Sequence, residues 1–281
     1  MKKINTLTII GVGLIGGSIA REVKKKKLAK KIIGFGRRRS SLAKALKAKA
    51  IDEATLSFPR AVREADVVII ATPISLVSTF LKKCNKFCKA GCIITDVGST
   101  KKKIVSSAEK IISADKFFIG THPMAGSEKR GFISSHLNLF KDSICFLIKT
   151  KKANVKALET LELFWKKLGA KPIIVSSQNH DKIVAEVSHL PHAIATSLIN
   201  SSIKSIRFAS TGFRDTTRIA SSNVDLWLDI FLTNKDNIVK SIDNFINNLD
   251  KIKRSIKKED RIQLCRLLNK AKRIREKYLN P

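Results

Sequence analysis

Residues 7–20 read LTIIGVGLIGGSIA. An apolar run, Leu7 to Ile10, leads into Gly11, Gly13 and Gly16 at G-x-G-x-x-G spacing, and a second apolar run, Leu14 to Ala20, follows at once. That order predicts a strand, a tight turn and a helix. Gly11 permits the turn, Gly13 lets backbone approach a pyrophosphate, and Gly16 lets the helix pack closely on the strand. The helix opening at Leu14 and Ile15 offers free N–H groups and the positive end of its dipole to phosphates. Placed straight after a strand and opening a helix, the pattern points to dinucleotide binding.

Outward from this turn, strand-like and helix-like segments alternate. Strands are expected at Lys31–Phe35, Asp66–Ala71, Cys92–Asp96 and Phe117–Gly120, with helices at Leu14–Lys27, Ser41–Ala50, Leu76–Cys88 and Lys101–Ile112. Such alternation implies a parallel, doubly wound sheet. After His122 the pattern changes. A strand is expected at Ser143–Lys149, an amphipathic helix at Val155–Leu168 and a short strand at Lys171–Val175. From Ser177 onward the chain reads as helical, with one long helix over Asn179–Ile203 and others at Val224–Phe231, Asn234–Lys257 and Glu259–Tyr278. The expected organisation is therefore a dinucleotide-binding domain over 1–175 and a helical domain over 176–281. The apolar faces of the long helices need partners, which predicts a homodimer.

Bulk properties narrow the class. The 281-residue chain is 43% hydrophobic, enough for a substantial core. No apolar run approaches the ~18 residues of a membrane span. The start, MKKINTLTIIGVGL, has the lysines of a signal peptide, but its glycines belong to the turn, so the chain is expected in the cytoplasm. The formal charge of +32 is spread along the whole chain, as in Lys24–Lys27, Lys101–Lys103 and Lys257–Lys258. With no interleaved aromatic residues, this argues for lysine at solvated positions and against a dedicated nucleic-acid interface. Cys84, Cys88, Cys92, Cys145 and Cys265 fit no metal spacing and read as free thiols in a reducing compartment.

A dinucleotide-binding strand usually ends in an acid that holds the ribose 2′-OH. Here that region is IIGFGRRRSS: Gly36 takes the expected position, and Arg37, Arg38 and Arg39 follow. Guanidinium groups suit a 2′-phosphate, which favours NADP over NAD. Further segments close the later strands: ATP at Ala71–Pro73, DVGSTK at Asp96–Lys101, and GTHPMAGSEKRG at 120–131. Ligands of open α/β sheets bind at such carboxyl ends, so Thr72, Pro73 and Asp96 are expected at the cofactor. SHLPH at Ser188–His192 and FRDTTRIASSNVDLW at Phe213–Trp227 complete the set.

Taken together, GVGLIGGSIA, ATP, DVGSTK, THPMAGSEKRG, SHLPHAIA and TRIA…LW…IF resemble the prephenate/arogenate dehydrogenase family over about residues 11–231. The resemblance implies a Rossmann domain followed by a helical dimerisation domain. It implies oxidative decarboxylation of prephenate to 4-hydroxyphenylpyruvate with NAD(P)+, in tyrosine biosynthesis, or the arogenate equivalent giving tyrosine. It assigns His122 as acceptor of the substrate hydroxyl proton and Ser99 as its orienting partner. Arg218 would bind a substrate carboxylate, and His189 and His192 would line the pocket. Trp227 would contribute across a dimer interface, and Glu128 and Asp215 would stand at the pocket mouth.

Other readings attach to these residues. His189 and His192, with Glu186 nearby, have the spacing of a weak metal pair. Ser99 suits a cap of the helix near Lys101. His136 and His180 fit no motif and read as surface or structural. The rival enzyme class is a β-hydroxyacid-type dehydrogenase, which relies on a lysine in the long helix, where only Lys182 is available. The rival outside enzymes is a catalytically idle cofactor- or polyanion-binding protein, against which His122, Ser99 and Arg218 stand together.

Overall fold

The computed structural model describes residues 4–127, 129, 131–150 and 152–279. They fall into two compact units, 1–235 and 236–281. The first is built on an eight-stranded sheet of order β3-β2-β1-β4-β5-β6-β7-β8. Its strands are β1 (Ile4–Ile10), β2 (Ala29–Phe35), β3 (Glu53–Thr55), β4 (Val67–Ile70), β5 (Ile93–Asp96), β6 (Phe117–Pro123), β7 (Ile144–Ile148) and β8 (Lys171–Val175).

The strands closest to the centre are apolar on both faces because both faces are covered. Ile9, Ile32, Ile69 and Ile119 pack into one core, and Ile10, Ile33, Ile70 and Ile94 into the other. Successive side chains of a strand point to opposite faces, so continuous runs such as VVII mark a doubly covered strand. Helices α1 (Leu14–Lys25), α2 (Arg39–Lys47), α3 (Phe58–Val62), α4 (Ile74–Phe87), α5 (Lys102–Ile111) and α6 (Val155–Leu168) supply the cover. At α6, Asn154 caps the start by accepting from the Ala157 N–H, left-handed Gly169 ends the helix, and Phe164 and Trp165 are fully buried.

Strand order reverses between β1 and β4, which opens the ligand-binding crevice of such sheets at their carboxyl ends. The expectation of a wholly parallel sheet needs correction. β1 to β6 pair in parallel, but β7 runs antiparallel to β6, and β8 runs parallel to β7. Among the described residues no crossover helix separates β6 from β7, the one helical turn there being the 3-10 turn at Phe132–Ser134, and antiparallel neighbours need none.

The single helix expected over Asn179–Ile203 is also corrected. It is divided into α7 (Ser177–Val184), a π-helical turn (Ala185–His189) and α8 (Leu190–Ser201), then a 3-10 segment (Ile203–Phe208). Leu190 donates to Ala185 O, the longer π spacing. Pro191 has no N–H to give and its ring crowds the preceding turn, which accounts for the interruption. Sequence patterning also missed β3, three residues long, and α9 (Thr211–Thr217). A 3-10 turn (Arg218–Ser221) and α10 (Val224–Thr233) follow. The Ser75 N–H of α4 donates to Asp229 of α10 at 3.1 Å, which docks α10 on the sheet's helical cover.

The second unit is made of α11 (Lys235–Lys257) and α12 (Arg261–Leu279). Glu259 turns the chain in the left-handed region, and Asp260 caps α12 by accepting from Gln263 N–H at 2.9 Å. Among the described residues, no helix is long and apolar enough to cross a membrane.

Candidate active site

The glycine turn has the geometry its spacing predicts. Gly11 sits at φ +95°, where only glycine is comfortable, and a Cβ there would lie 2.5 Å from Ala71 O. At Gly16 a Cβ would lie 2.2 Å from Gly11 O, so the absence of a side chain lets α1 meet β1. Gly13 differs: nothing lies within 4 Å of where its Cβ would stand. It is the N-cap of α1 and no side chain caps the helix there, so the first N–H groups of α1 have no partner within the helix. A cavity of about 250 Å3 lies against this turn, lined among others by Gly11, Gly13, Gly36, Arg37, Arg38, Thr72 and Pro73. Uncapped donors, open space at Gly13 and two exposed guanidinium side chains are what a pyrophosphate and its adenosine end require.

Asp96 is placed differently from the expectation that it meets the cofactor. It is fully buried at the end of β5, ion-paired with the equally buried Lys101 and accepting the Gly98 N–H at 2.8 Å. Lys101 also donates to Thr121 O at 2.8 Å. Burial lowers the Lys101 pKa, opposed by the attraction of Asp96. The pair ties the β5 loop to β6 from beneath. Ser99, on that loop, is half-buried and caps no helix. The N–H groups of Lys101 and Lys102 that open α5 go to Asp181 instead, at 2.7 and 3.0 Å.

His122 lies near the end of β6 and is 8% exposed. Its Nδ1 is 2.9 Å from Nε2 of His180, a fully buried residue of α7. Burial holds the His122 pKa well below the usual imidazole value, and nearby His180, Lys101 and His189 push the same way. His180 is lowered by burial too, with Asp181 pulling against it. Sequence reading set His180 aside as surface or structural. Its position follows only from the tertiary packing of α7 against α5 and β7.

His189 ends the π-helical turn, and His192 lies in the first turn of α8. Burial lowers both, His189 to about 4. Asn234 bridges from the Asp181 carbonyl, at 2.7 Å, to His189 Nδ1, at 3.2 Å. His192 stacks flat on Trp227, with ring centroids 3.5 Å apart and planes 6° from parallel. Trp227, which the resemblance places at a dimer interface, stacks on His192 of its own chain. Among the described residues, the buried Nε2 of His189 and Nδ1 of His192 meet no partner. Arg218 and Asp215 are exposed, and the turn of Arg218 packs on α8, the helix of His192. Glu128 lies outside the described residues. His136 is exposed near α1, its backbone N–H on Ser18 at 3.1 Å, away from the histidine group. No set of three or more His, Cys, Asp or Glu side chains gathers as a metal would need among the described residues.

A doubly wound sheet with an open glycine turn, and buried histidines gathered at the carboxyl end of β6, fits an NAD(P)-dependent oxidoreductase. The family model described as prephenate dehydrogenase, nucleotide-binding domain, matches residues 19–174. The model described as prephenate dehydrogenase, dimerization domain, matches residues 176–270. The prephenate dehydrogenase of Bacillus subtilis is 38% identical over 280 residues, 97% of this chain and 76% of that protein. The Aquifex aeolicus prephenate dehydrogenase, solved in complex with hydroxyphenyl propionate and NAD+, superposes with a TM-score of 0.92 at 33% identity, covering 97% of this chain and 98% of that one. Synechocystis arogenate dehydrogenase superposes with a TM-score of 0.85 at 29% identity, covering 98% and 100%. The chain belongs to the prephenate dehydrogenase family.

Proposed function

We propose that the chain converts prephenate to 4-hydroxyphenylpyruvate and CO2 with reduction of NAD(P)+. The carbon bearing the ring hydroxyl loses hydride while the hydroxyl proton passes to a base. The ring carboxylate leaves as CO2, its bonding pair completes the aromatic ring, and the proton returns to the phenolate oxygen, so that no net proton is released and aromatisation makes the sum downhill. The dinucleotide supplies the hydride acceptor. Gly11, Gly13, Gly16 and the N–H groups of Leu14 and Ile15 would hold its phosphates, with Thr72 and Pro73 beside them. Arg37 and Arg38 would favour NADP+ by pairing with its 2′-phosphate.

His122 takes the hydroxyl proton, and Ser99 orients that hydroxyl. The observation behind this assignment is that burial keeps His122 neutral, the state a proton acceptor needs, at a carboxyl strand end. Arg218 binds the ring carboxylate. His192 and His189, each with an unpartnered buried nitrogen, face the rest of the substrate with Trp227 behind them. Asp215 and Glu128 stand at the pocket mouth. Likeness to the Synechocystis enzyme favours arogenate as the second reading, since the two substrates differ only in a keto or amino side chain.

We read the chain as a dinucleotide-binding domain, 1–175, and a helical substrate and dimerisation domain, 176–281. The junction of the two family models between residues 174 and 176 supports this division. Exposed Phe208, Val224 and Leu232 in the first unit, and Ile262 and Leu268 in the second, support a homodimer. Five free cysteines support a reducing, cytoplasmic setting. Adding prephenate or arogenate to the purified protein with each dinucleotide tests the function. Reduced nicotinamide should form with prephenate. Activity with arogenate alone would select the second reading, and activity with neither would refute both.

A further inference from the structure

Behind His122 stands a file of buried groups drawn from separate elements. His122 Nδ1 on β6 lies 2.9 Å from His180 Nε2 on α7. His180 Nδ1 lies 2.8 Å from Asp181 Oδ1. The Asp181 carboxylate in turn accepts the backbone N–H groups of Lys101 and Lys102. His180 is 0% and Asp181 1% exposed, so neither meets solvent, and the Phe146 ring stands edge-on to His180 at 5.2 Å.

We infer that His180 and Asp181 are positioning residues that fix the tautomer of His122. The inference rests on His122 being the proton acceptor. A carboxylate has no proton to give. Asp181 therefore accepts from His180, and the His180 proton resides on Nδ1. In a neutral ring this leaves a lone pair at His180 Nε2. Only a proton on His122 Nδ1 satisfies that lone pair at 2.9 Å. The lone pair of His122 is then left on Nε2, the nitrogen turned away from His180. Because Asp181 is itself pinned by two N–H groups at the start of α5, it cannot rotate to offer a different pattern. The same logic governs histidines oriented by a buried acid elsewhere: the outer group selects which nitrogen is basic.

The surroundings keep both rings in the required state. Burial disfavours a second proton on either. Lys101 disfavours it on both and His189 on His122, whereas Asp181 and Asp96 favour it on His180. A second proton on His180 would place an N–H against His122 Nδ1 and drive the His122 proton to Nε2, blocking the base.

Nitrogen-15 spectra of histidine-labelled enzyme read tautomers directly. At neutral pH the His122 signals, assigned by their loss in His122→Asn, should show a protonated Nδ1 and a bare Nε2. The reverse pattern in the unmodified protein overturns the inference, whether or not any variant folds. His180→Phe keeps a ring but removes the acceptor. It should mix or invert the His122 tautomer and lower kcat about 100-fold or more, with KM values little changed. His180→Gln restores a carbonyl acceptor and should recover part of the rate. A wild-type kcat with unchanged His122 signals in His180→Phe would also overturn the positioning role. A fully active His122→Asn would instead sink the assignment of the base, so the two failures are distinguishable.

Discussion

His192 lies flat against Trp227 within one chain, their centroids 3.5 Å apart. The indole also meets His189 edge-on at 6.0 Å and Phe231 at 5.6 Å. It therefore sets the orientation of both histidines of the SHLPH segment. Aromatic pairs of this kind contribute about 0.5–1.5 kcal/mol beyond area burial. Trp227→Leu should raise the substrate KM several-fold and leave the dinucleotide KM alone. An unchanged substrate KM would separate Trp227 from the pocket.

Gly13 and Gly16 should fail in different ways. Gly13→Ala meets no protein atom within 4 Å, so it should melt like the parent yet bind dinucleotide more weakly, and Gly13→Val more weakly still. Gly16→Ala drives a Cβ to 2.2 Å from Gly11 O and should cost about 1–3 kcal/mol of stability. Thermal melting with dinucleotide titration checks both. Full dinucleotide affinity in folded Gly13→Val would remove the phosphates from this turn.

Arg37 and Arg38 border the cavity beside Gly36. Replacing both with Ala should weaken NADP+ about tenfold or more, with little effect on NAD+. Equal losses for both dinucleotides would mean that the arginines act only through general charge, which this chain of +32 has in excess.

Arg218→Gln should raise the substrate KM strongly with dinucleotide affinity intact, as expected if its guanidinium holds the ring carboxylate. Initial-rate kinetics with each substrate varied in turn would show it. A loss confined to the dinucleotide KM would place Arg218 elsewhere.

Acid should act through the buried histidines in a defined direction. His122, His180, His189 and His192 all have folded-state pKa values below the free imidazole value, chiefly from burial. Between the folded and unfolded pKa values the unfolded chain binds more protons. Stability should thus be full above about pH 6.5 and decline as pH falls below it, for His189 down to about 4. Denaturant midpoints that stay level across this range would contradict the burial.

Much of this was legible in sequence because its causes are local. Val67–Ala71 announces a doubly covered strand by an unbroken apolar run, Leu7–Ile10 does so with only Thr8 interrupting, and Gly11, Gly13 and Gly16 announce the turn between strand and helix. His122, Ser99 and the SHLPH pair lie in motifs, so their neighbourhoods could be expected. His180 could not, because its partner is 58 residues away in sequence and no local pattern distinguishes it from a packed histidine. Asp181 caps a helix 80 residues distant, and the helix-opening reading of Ser99 missed it for the same reason. The antiparallel β7 likewise depends on how the chain returns, which periodicity does not report, whereas the π-helical break has its local cause in Pro191.

The central claim is that neutral His122 accepts the substrate proton, and the pH dependence of kcat/KM for the parent and His122→Asn tests it most directly. In the parent, activity should fall on the acid side along a limb below about pH 6.5, since burial lowers the His122 pKa. The Asn variant should lose about 10²–10⁴ in rate and the acid limb with it, while still binding substrate and dinucleotide. A variant with the parent's rate and an intact acid limb would contradict the account and move the base to another residue, His192 first.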